Sequence, residues 1–271
     1  MDEIDIYLKE DLGLDGDITS DALFADESAE GKIIVKEECI VAGVKEIEKV
    51  FQKLDVKAVF YVKDGDFVKE KTKIADVSGN AKDILKGERL ALNIISRMSG
   101  IATETKKLVD KCKKINPNIQ IAATRKTTPG FRKFEKEAVV IGGGESHRYG
   151  LYDAVMIKDN HLKLVGSLEK AIKKAKENIK NKIIEVEVEN KKDAIVAAKL
   201  FVDILMLDNF SPFDAKDISK EIRKINPGIL IEISGGVNSD NIADYASFAD
   251  IVSLGYLTHS VKSIDFSLEI Q

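Results

Sequence analysis

IIEVEVENKKDAIVAAKLFVDILMLD, residues 183–208, holds two apolar β-type runs separated by one amphipathic segment. In the first run Glu185, Glu187 and Glu189 alternate with Val186 and Val188, so the carboxylates share one face and the valines the other. The middle segment, NKKDAIVAAKLF, has helical spacing. The second run ends on Asp208. Strand, helix, strand in this order predicts a parallel α/β unit with a carboxylate at the end of each strand.

The same unit recurs on both sides. IQIAATRK (119–126) and AVMIK (154–158) precede it, and ILIEISGG (229–236) and IVSLG (251–255) follow. The strand tails fall at Lys126, Lys158, Glu187, Asp208, Ser234 and Gly255. In a (β/α) barrel the active site lies at the C-terminal ends of the strands, whereas an open doubly wound sheet binds mainly at one switch point. Six loaded strand ends in a row favour the ring. About 155 residues, 104–258, are too few for eight units. The predicted fold class is therefore α/β, an incomplete (β/α) barrel.

Residues 1–103 read differently. Short β-type runs lie in 31–44 and 56–77, with helical spacing over 45–54 and a turn at Asp64-Gly65-Asp66 that predicts a hairpin. The DGDFV pattern is also similar to lipoyl- and biotinyl-carrier modules, but no second hairpin carries a modifiable lysine. The better reading is a small α/β sandwich-like domain, with the tail 259–271 returning to it. Residues 83–114 read as a long helical stretch broken near Ser99-Gly100.

Composition narrows the function. With 44% hydrophobic and 32% charged residues the chain is globular in composition. The acidic N-terminus carries no signal-type apolar region, and no run is long enough to span a membrane. Cys39 and Cys112 lack metal-type spacing, which favours a cytoplasmic protein with free thiols. A net charge of −4 speaks against nucleic acid as partner. Of 42 basic residues only six are Arg, and five of those lie between positions 89 and 148. Guanidinium binds carboxylate and phosphate in a planar fork that ammonium cannot match, so the places where a Lys-rich chain still uses Arg carry information.

Three motifs follow strand ends. TRKTTPGFR (124–132) places Arg125 and Lys126 side by side, expected to point to opposite sides unless the strand has frayed. IGGGESHRYG (141–150) sets three glycines, whose N–H groups can approach an anion, before His147 and Arg148. MIKDNH (156–161) offers Lys158. Glu185, Glu187 and Glu189, on one strand face near the ligand end, can hold Mg2+ or face developing positive charge, although inward carboxylates can also simply pair with lysines. Ser234, Gly235, Gly236 and Gly255 suit a phosphate cup. Together these residues predict a ligand carrying both carboxylate and phosphate groups, bound with a metal ion.

LKEDLGLDGDITSDALF, ERLALNIISRMSGIATET, TRKTTPGFR, GGGESHRYGLYDAVMIKDNH, EVEVEN, LMLDNF, EISGGVN and LGYLTHSVKSIDFSLEI occur in this order along the chain. In these segments the chain resembles the quinolinate phosphoribosyltransferase family over essentially its whole length. The resemblance implies a type II phosphoribosyltransferase fold. It also implies transfer of phosphoribosyl from phosphoribosyl pyrophosphate to quinolinate with loss of CO2, giving nicotinate mononucleotide for NAD biosynthesis. It further implies Mg2+ held by Glu187 and Asp208, directly or through water, and a homodimer or higher oligomer with shared sites.

By the same resemblance Lys126, Lys158, Glu187 and Asp208 are catalytic. Arg125, Thr127, His147 and Arg148 bind substrate, joined by Arg89 from the other subunit. Ser234, Gly235, Gly236 and Gly255 bind phosphate. Family members often carry Asn where this chain has Ser146, so that position is left out. Arg97 and Arg132 lie in flanking motifs without an assignable role, and Arg223 looks incidental. A mono-acid phosphoribosyltransferase would need fewer cations. Relatives encoded with molybdate transport tend to lose the lysine that stands here as Lys158. A non-catalytic anion sensor would gain nothing from Glu187 and Asp208, which repel anions.

Overall fold

The structure, a computed structural model, describes residues 2–271. Its strands are β1 (Ser28–Val35), β2 (Cys39–Ile40), β3 (Lys57–Phe60), β4 (Phe67–Val68), β5 (Lys73–Asn80), β6 (Gln120–Ala122), β7 (Val155–Ile157), β8 (Ile184–Val188), β9 (Ile204–Asp208), β10 (Leu230–Ser234), β11 (Ile251–Ser253) and β12 (Phe266–Ile270). They divide between two compact units. The first takes residues 1–104, 140–142 and 261–271, the second residues 105–139 and 143–260.

The first unit is built on an antiparallel sheet of order β12-β1-β5-β3. The C-terminal strand pairs with β1, from Gly31 opposite Ile270 to Val35 opposite Phe266. Alternation in β1 buries Ile33 and Val35 on one face. The turn at Asp64-Gly65-Asp66 is present but joins no hairpin, because β3 pairs with β5 while β4 pairs with β2. The reason lies in Asp64. Its carboxylate accepts from the backbone N–H groups of Gly43 (2.7 Å) and Val44 (2.9 Å) and so caps the Val44–Lys53 helix. The turn serves that helix end instead of a strand pair.

The long helix Ala81–Lys113 runs through Ser99-Gly100 without the expected break. Ser99 donates to the Ala42 carbonyl (3.3 Å) and accepts from its N–H (3.0 Å). A Cβ on Gly100 would meet the Lys262 carbonyl oxygen at 2.2 Å. Both residues are there for close packing within the first unit, and a glycine costs a helix only about 1 kcal/mol.

The second unit is a six-stranded parallel sheet of order β6-β11-β10-β9-β8-β7 with helices between successive strands. The edge strands β6 and β7 do not pair with each other, so the barrel is incomplete, in agreement with the chain length. Ser234 lies in register with Asp208, and Glu232 with Met206, which in turn faces Glu187. This register brings the strand ends to one rim. Fully buried Val186, Leu205, Leu207, Ile231 and Val252 form the core beneath it.

Candidate active site

A cavity of about 570 Å3 opens at the C-terminal ends of the parallel strands, entirely within the second unit. It is lined by Arg125, Lys126, His147, Arg148, Lys158, Glu187, Asp208, Ser234, Gly235, Gly236 and Gly255, all expected from the sequence. Two expected residues are not among the lining. Arg89, on the Ala81–Lys113 helix of the first unit, leaves about two thirds of its side chain exposed. Thr127 turns away, accepting from Arg132 Nε at 2.9 Å.

The cations come from loops. Strand β6 ends at Ala122, so Arg125 and Lys126 lie past it and the opposite-face expectation does not apply; both reach the cavity. The Lys126 carbonyl accepts from the Thr258 hydroxyl (2.7 Å), which moors this residue to the segment after β11. Its side chain packs so near Gly255 that a Cβ there would come within 2.9 Å. Arg148 donates to Met156 Sδ at 2.8 Å, and Met156 and Met206 give the cavity a soft apolar lining.

Lys158 and Glu187, at the ends of adjacent strands, form an ion pair. Burial, and then the charge of Glu187, hold the Asp208 carboxyl above the usual carboxylate range. Two carboxylates facing one cavity want a cation between them. Asp208 also accepts from the Asn209 amide (2.7 Å). Gly235 (φ +76°) passes this pair so closely that a Cβ would meet Asn209 Oδ1 at 2.3 Å and Asp208 Oδ1 at 2.7 Å. Only glycine fits there.

Beneath the cations lies a cluster in which sequence reasoning singled out His147 and Glu185 but missed Glu232. Glu185 and Glu232 are 1% and 0% exposed and flank His147, whose Nε2 is 3.1 Å from Glu232 Oε2 and 3.5 Å from Glu185 Oε2. Burial disfavours the charged ring, but the bond to Glu232 and the charges of both glutamates outweigh it and raise the His147 pKa. Burial, then the neighbouring Glu232, push Glu185 up to about 8. The signal for Glu232 was available: it stands one alternation before Ser234 in ILIEIS and so shares its face. Ligand-type atoms of these three residues lie within 4.8 Å of one another.

Other motif residues turn out to be scaffolding. Gly144 abuts the Ile121 carbonyl, where a Cβ would come to 2.7 Å, and its own N–H is spent on Val139 O (3.0 Å). None of the three consecutive glycines lines the cavity, and Gly144 is needed instead for close packing. His161 accepts the Lys158 N–H at 3.0 Å and caps the Asp159–Val165 helix. Arg97 donates to the Val261 carbonyl (2.8 Å). Arg223 is not incidental: it bonds Asp250 (2.7 Å), which also accepts the Ile231 N–H, and the Phe248 carbonyl (3.0 Å), pinning β10 to the approach of β11. Cys39 and Cys112 are free and buried, and burial pushes Cys39 up to about 12, so neither offers a thiolate.

An incomplete parallel barrel whose strand ends gather four cations around two carboxylates is built to take an anionic ligand at its rim. The chain belongs to the quinolinate phosphoribosyl transferase family: residues 17–99 match its N-terminal domain and residues 101–269 its C-terminal domain. It is 44% identical to a probable nicotinate-nucleotide pyrophosphorylase (carboxylating) of Methanocaldococcus jannaschii over 97% of this chain and 94% of that protein. It is 43% identical to the protein of the same description from Archaeoglobus fulgidus, over 94% and 98%. Among solved structures, the nicotinate-nucleotide pyrophosphorylase of Francisella tularensis superposes with a TM-score of 0.91 at 37% identity, covering 99% of this chain and 94% of that one.

Proposed function

We propose that this chain transfers the phosphoribosyl group of phosphoribosyl pyrophosphate to quinolinate and releases CO2, giving nicotinate mononucleotide and pyrophosphate in NAD biosynthesis. The observation that carries the reading is the convergence of Arg125, Lys126, Arg148 and Lys158 with Glu187 and Asp208 on one cavity. Quinolinate carries two adjacent carboxylates, which Arg125 and Arg148 can take as forks and Lys158 as a point charge. Lys126 and the Ser234, Gly235, Gly236 and Gly255 backbone supply donors for phosphate groups.

As pyrophosphate leaves, positive charge grows at the ribose C1 carbon, and Glu187 and Asp208 stand ready to stabilise it. The ring nitrogen bonds to that carbon and becomes cationic. The C2 carboxylate then departs as CO2, its bonding pair stays on C2 beside the cationic nitrogen, and a proton completes the product. This route needs no covalent nucleophile on the protein.

Mg2+ fits Glu187 and Asp208, a pair of hard oxygen donors that crowd each other at the open cavity. The His147, Glu185 and Glu232 cluster fits it less well, because its two carboxylates are buried and already pair with His147. When bound, the ion would neutralise charge on the pyrophosphate leaving group. A homodimer in which Arg89 completes the partner's site belongs to the same reading, as does a cytoplasmic location, which suits two buried free cysteines. Among the described residues no helix is long and apolar enough to cross a membrane. The test is an assay of quinolinate against nicotinate, each with phosphoribosyl pyrophosphate and Mg2+. Release of CO2 and nicotinate mononucleotide from quinolinate supports the proposal, and turnover of nicotinate alone overturns it.

A further inference from the structure

Arg125 and Arg148 sit on different loops, which the sheet joins only at their bases, through a parallel bridge between Ala122 and Glu145. Beyond that bridge the helix Arg132–Ile141 holds them. Three side chains on one face of its first turn, at i, i+3 and i+4, hold the two loops. Arg132 bridges them, donating through Nε to Thr127 Oγ1 (2.9 Å) and through Nη1 to the Tyr149 carbonyl (3.0 Å). Glu135, fully buried, accepts from the Thr128 N–H (2.9 Å) and hydroxyl (3.0 Å). Lys136, also fully buried, donates to the Ser146 carbonyl and lies 5.4 Å from the Tyr149 ring centre.

We infer that Arg132, Glu135 and Lys136 are positioning residues that set the separation of the Arg125 and Arg148 loops and thereby the affinity for a ligand with two adjacent carboxylates. A buried lysine and a buried glutamate are expensive, and a helix keeps them only where they satisfy something. Here each satisfies a loop backbone that carries a predicted substrate contact. The residue after the Ser146 carbonyl, His147, holds a left-handed backbone (φ 52°), a conformation that persists only when its surroundings over-determine it. Lys136 is the tie beside it. A di-acid must engage both loops at once, so an error in their separation is felt twice.

The phosphoribosyl donor would not feel it to the same degree. Lys126 has its own mooring through Thr258, and Asp208, Ser234 and Gly255 stand on or directly after strands that the helix does not hold. The inference rests on the quinolinate reading, and it predicts a split. Lys136→Met and Arg132→Met should each raise KM for quinolinate by tenfold or more, on the order of what a 1 Å misplacement costs. KM for phosphoribosyl pyrophosphate should stay within about twofold, since its anchors are independent. Calorimetric binding of quinolinate alone should weaken by the same factor as KM.

If Lys136→Met fails to fold, Arg132→Lys serves: it keeps the charge at a half-exposed site but cannot span both acceptors, and the same split is expected. Unchanged quinolinate KM and binding in a folded variant, or equal rises in both KM values, overturn the inference. Wild-type protein that binds quinolinate without turning it over overturns the reaction and leaves the variant-to-wild-type binding ratio to judge the clamp. Wild-type protein that does not bind quinolinate overturns both.

Discussion

Lys158 and Glu187 reach the cavity from neighbouring strands and neutralise each other there. Removing either leaves a charge at a rim already crowded by Asp208, so Lys158→Ala and Glu187→Ala should each lower nicotinate mononucleotide formation by about a hundredfold or more. Circular dichroism should be unchanged, and near-normal turnover in either variant would sink the assignment. Lys136 gives a second prediction at this scale. Burial, with Arg132, Arg125 and Arg148 nearby and only Asp153 opposing, lowers its pKa to about 8. Below that value it is a charged donor to Ser146. Above it the donor is neutral and weaker, so quinolinate KM should rise as pH passes about 8, and Lys136→Met should abolish that rise. Stability moves the other way. A lysine whose folded pKa is lowered binds fewer protons folded than unfolded, so its contribution to stability should increase between about pH 8 and the ordinary lysine value. Thermal melts of wild type and Lys136→Met across that window check the sign. At this scale the sequence was most legible where a polar residue follows an apolar strand, as with Lys158, Glu187 and Asp208. It was least legible where a polar residue is buried in an apolar context. Glu135 and Lys136 carry no local mark of burial, because what buries them is the packing of the two flanking loops, whereas Glu232 was marked by its strand alternation.

The elements followed their periodicity, and the departures share one cause. Asp64 and Gly100 were read by local propensity, as a hairpin turn and a helix break. Each instead serves a tertiary contact, Asp64 on the Gly43 and Val44 N–H groups and Gly100 against the Lys262 carbonyl. The triple glycine belongs with them, since Gly144 abuts the Ile121 carbonyl. Local chemistry names the residue's capability, and only the fold chooses among its uses. Gly100→Ala tests this at the element scale. Its Cβ would fall 2.2 Å from a backbone oxygen, so the protein should lose about 1–3 kcal/mol in a denaturant titration despite the better helix propensity of alanine. A stabilised variant would mean that Gly100 is a tolerated helix residue and no more.

Across the whole molecule, the scarce arginines sort by task. Arg125 and Arg148 line the cavity, Arg97, Arg132 and Arg223 brace backbone carbonyls, and Arg89 stands largely exposed. A Lys-rich chain has used guanidinium where two directions must be held at once, which is why counting arginines located the site and its supports together. Arg89 is the one without such a task in a single chain: its nearest carboxylate is its neighbour Glu88 at 3.9 Å. A third arginine for a di-acid, supplied by the second copy of a homodimer, would explain it. Arg89→Ala and Lys158→Ala homodimers should each be nearly inactive. In a mixed dimer, one site would combine both intact residues and the other would lack both. Random mixing makes half the dimers mixed, so co-refolded protein should recover roughly a quarter of wild-type activity. Recovery to that level requires a site built from two chains. Activity no greater than the parents' sum would confine the site to one chain and leave Arg89 a surface residue.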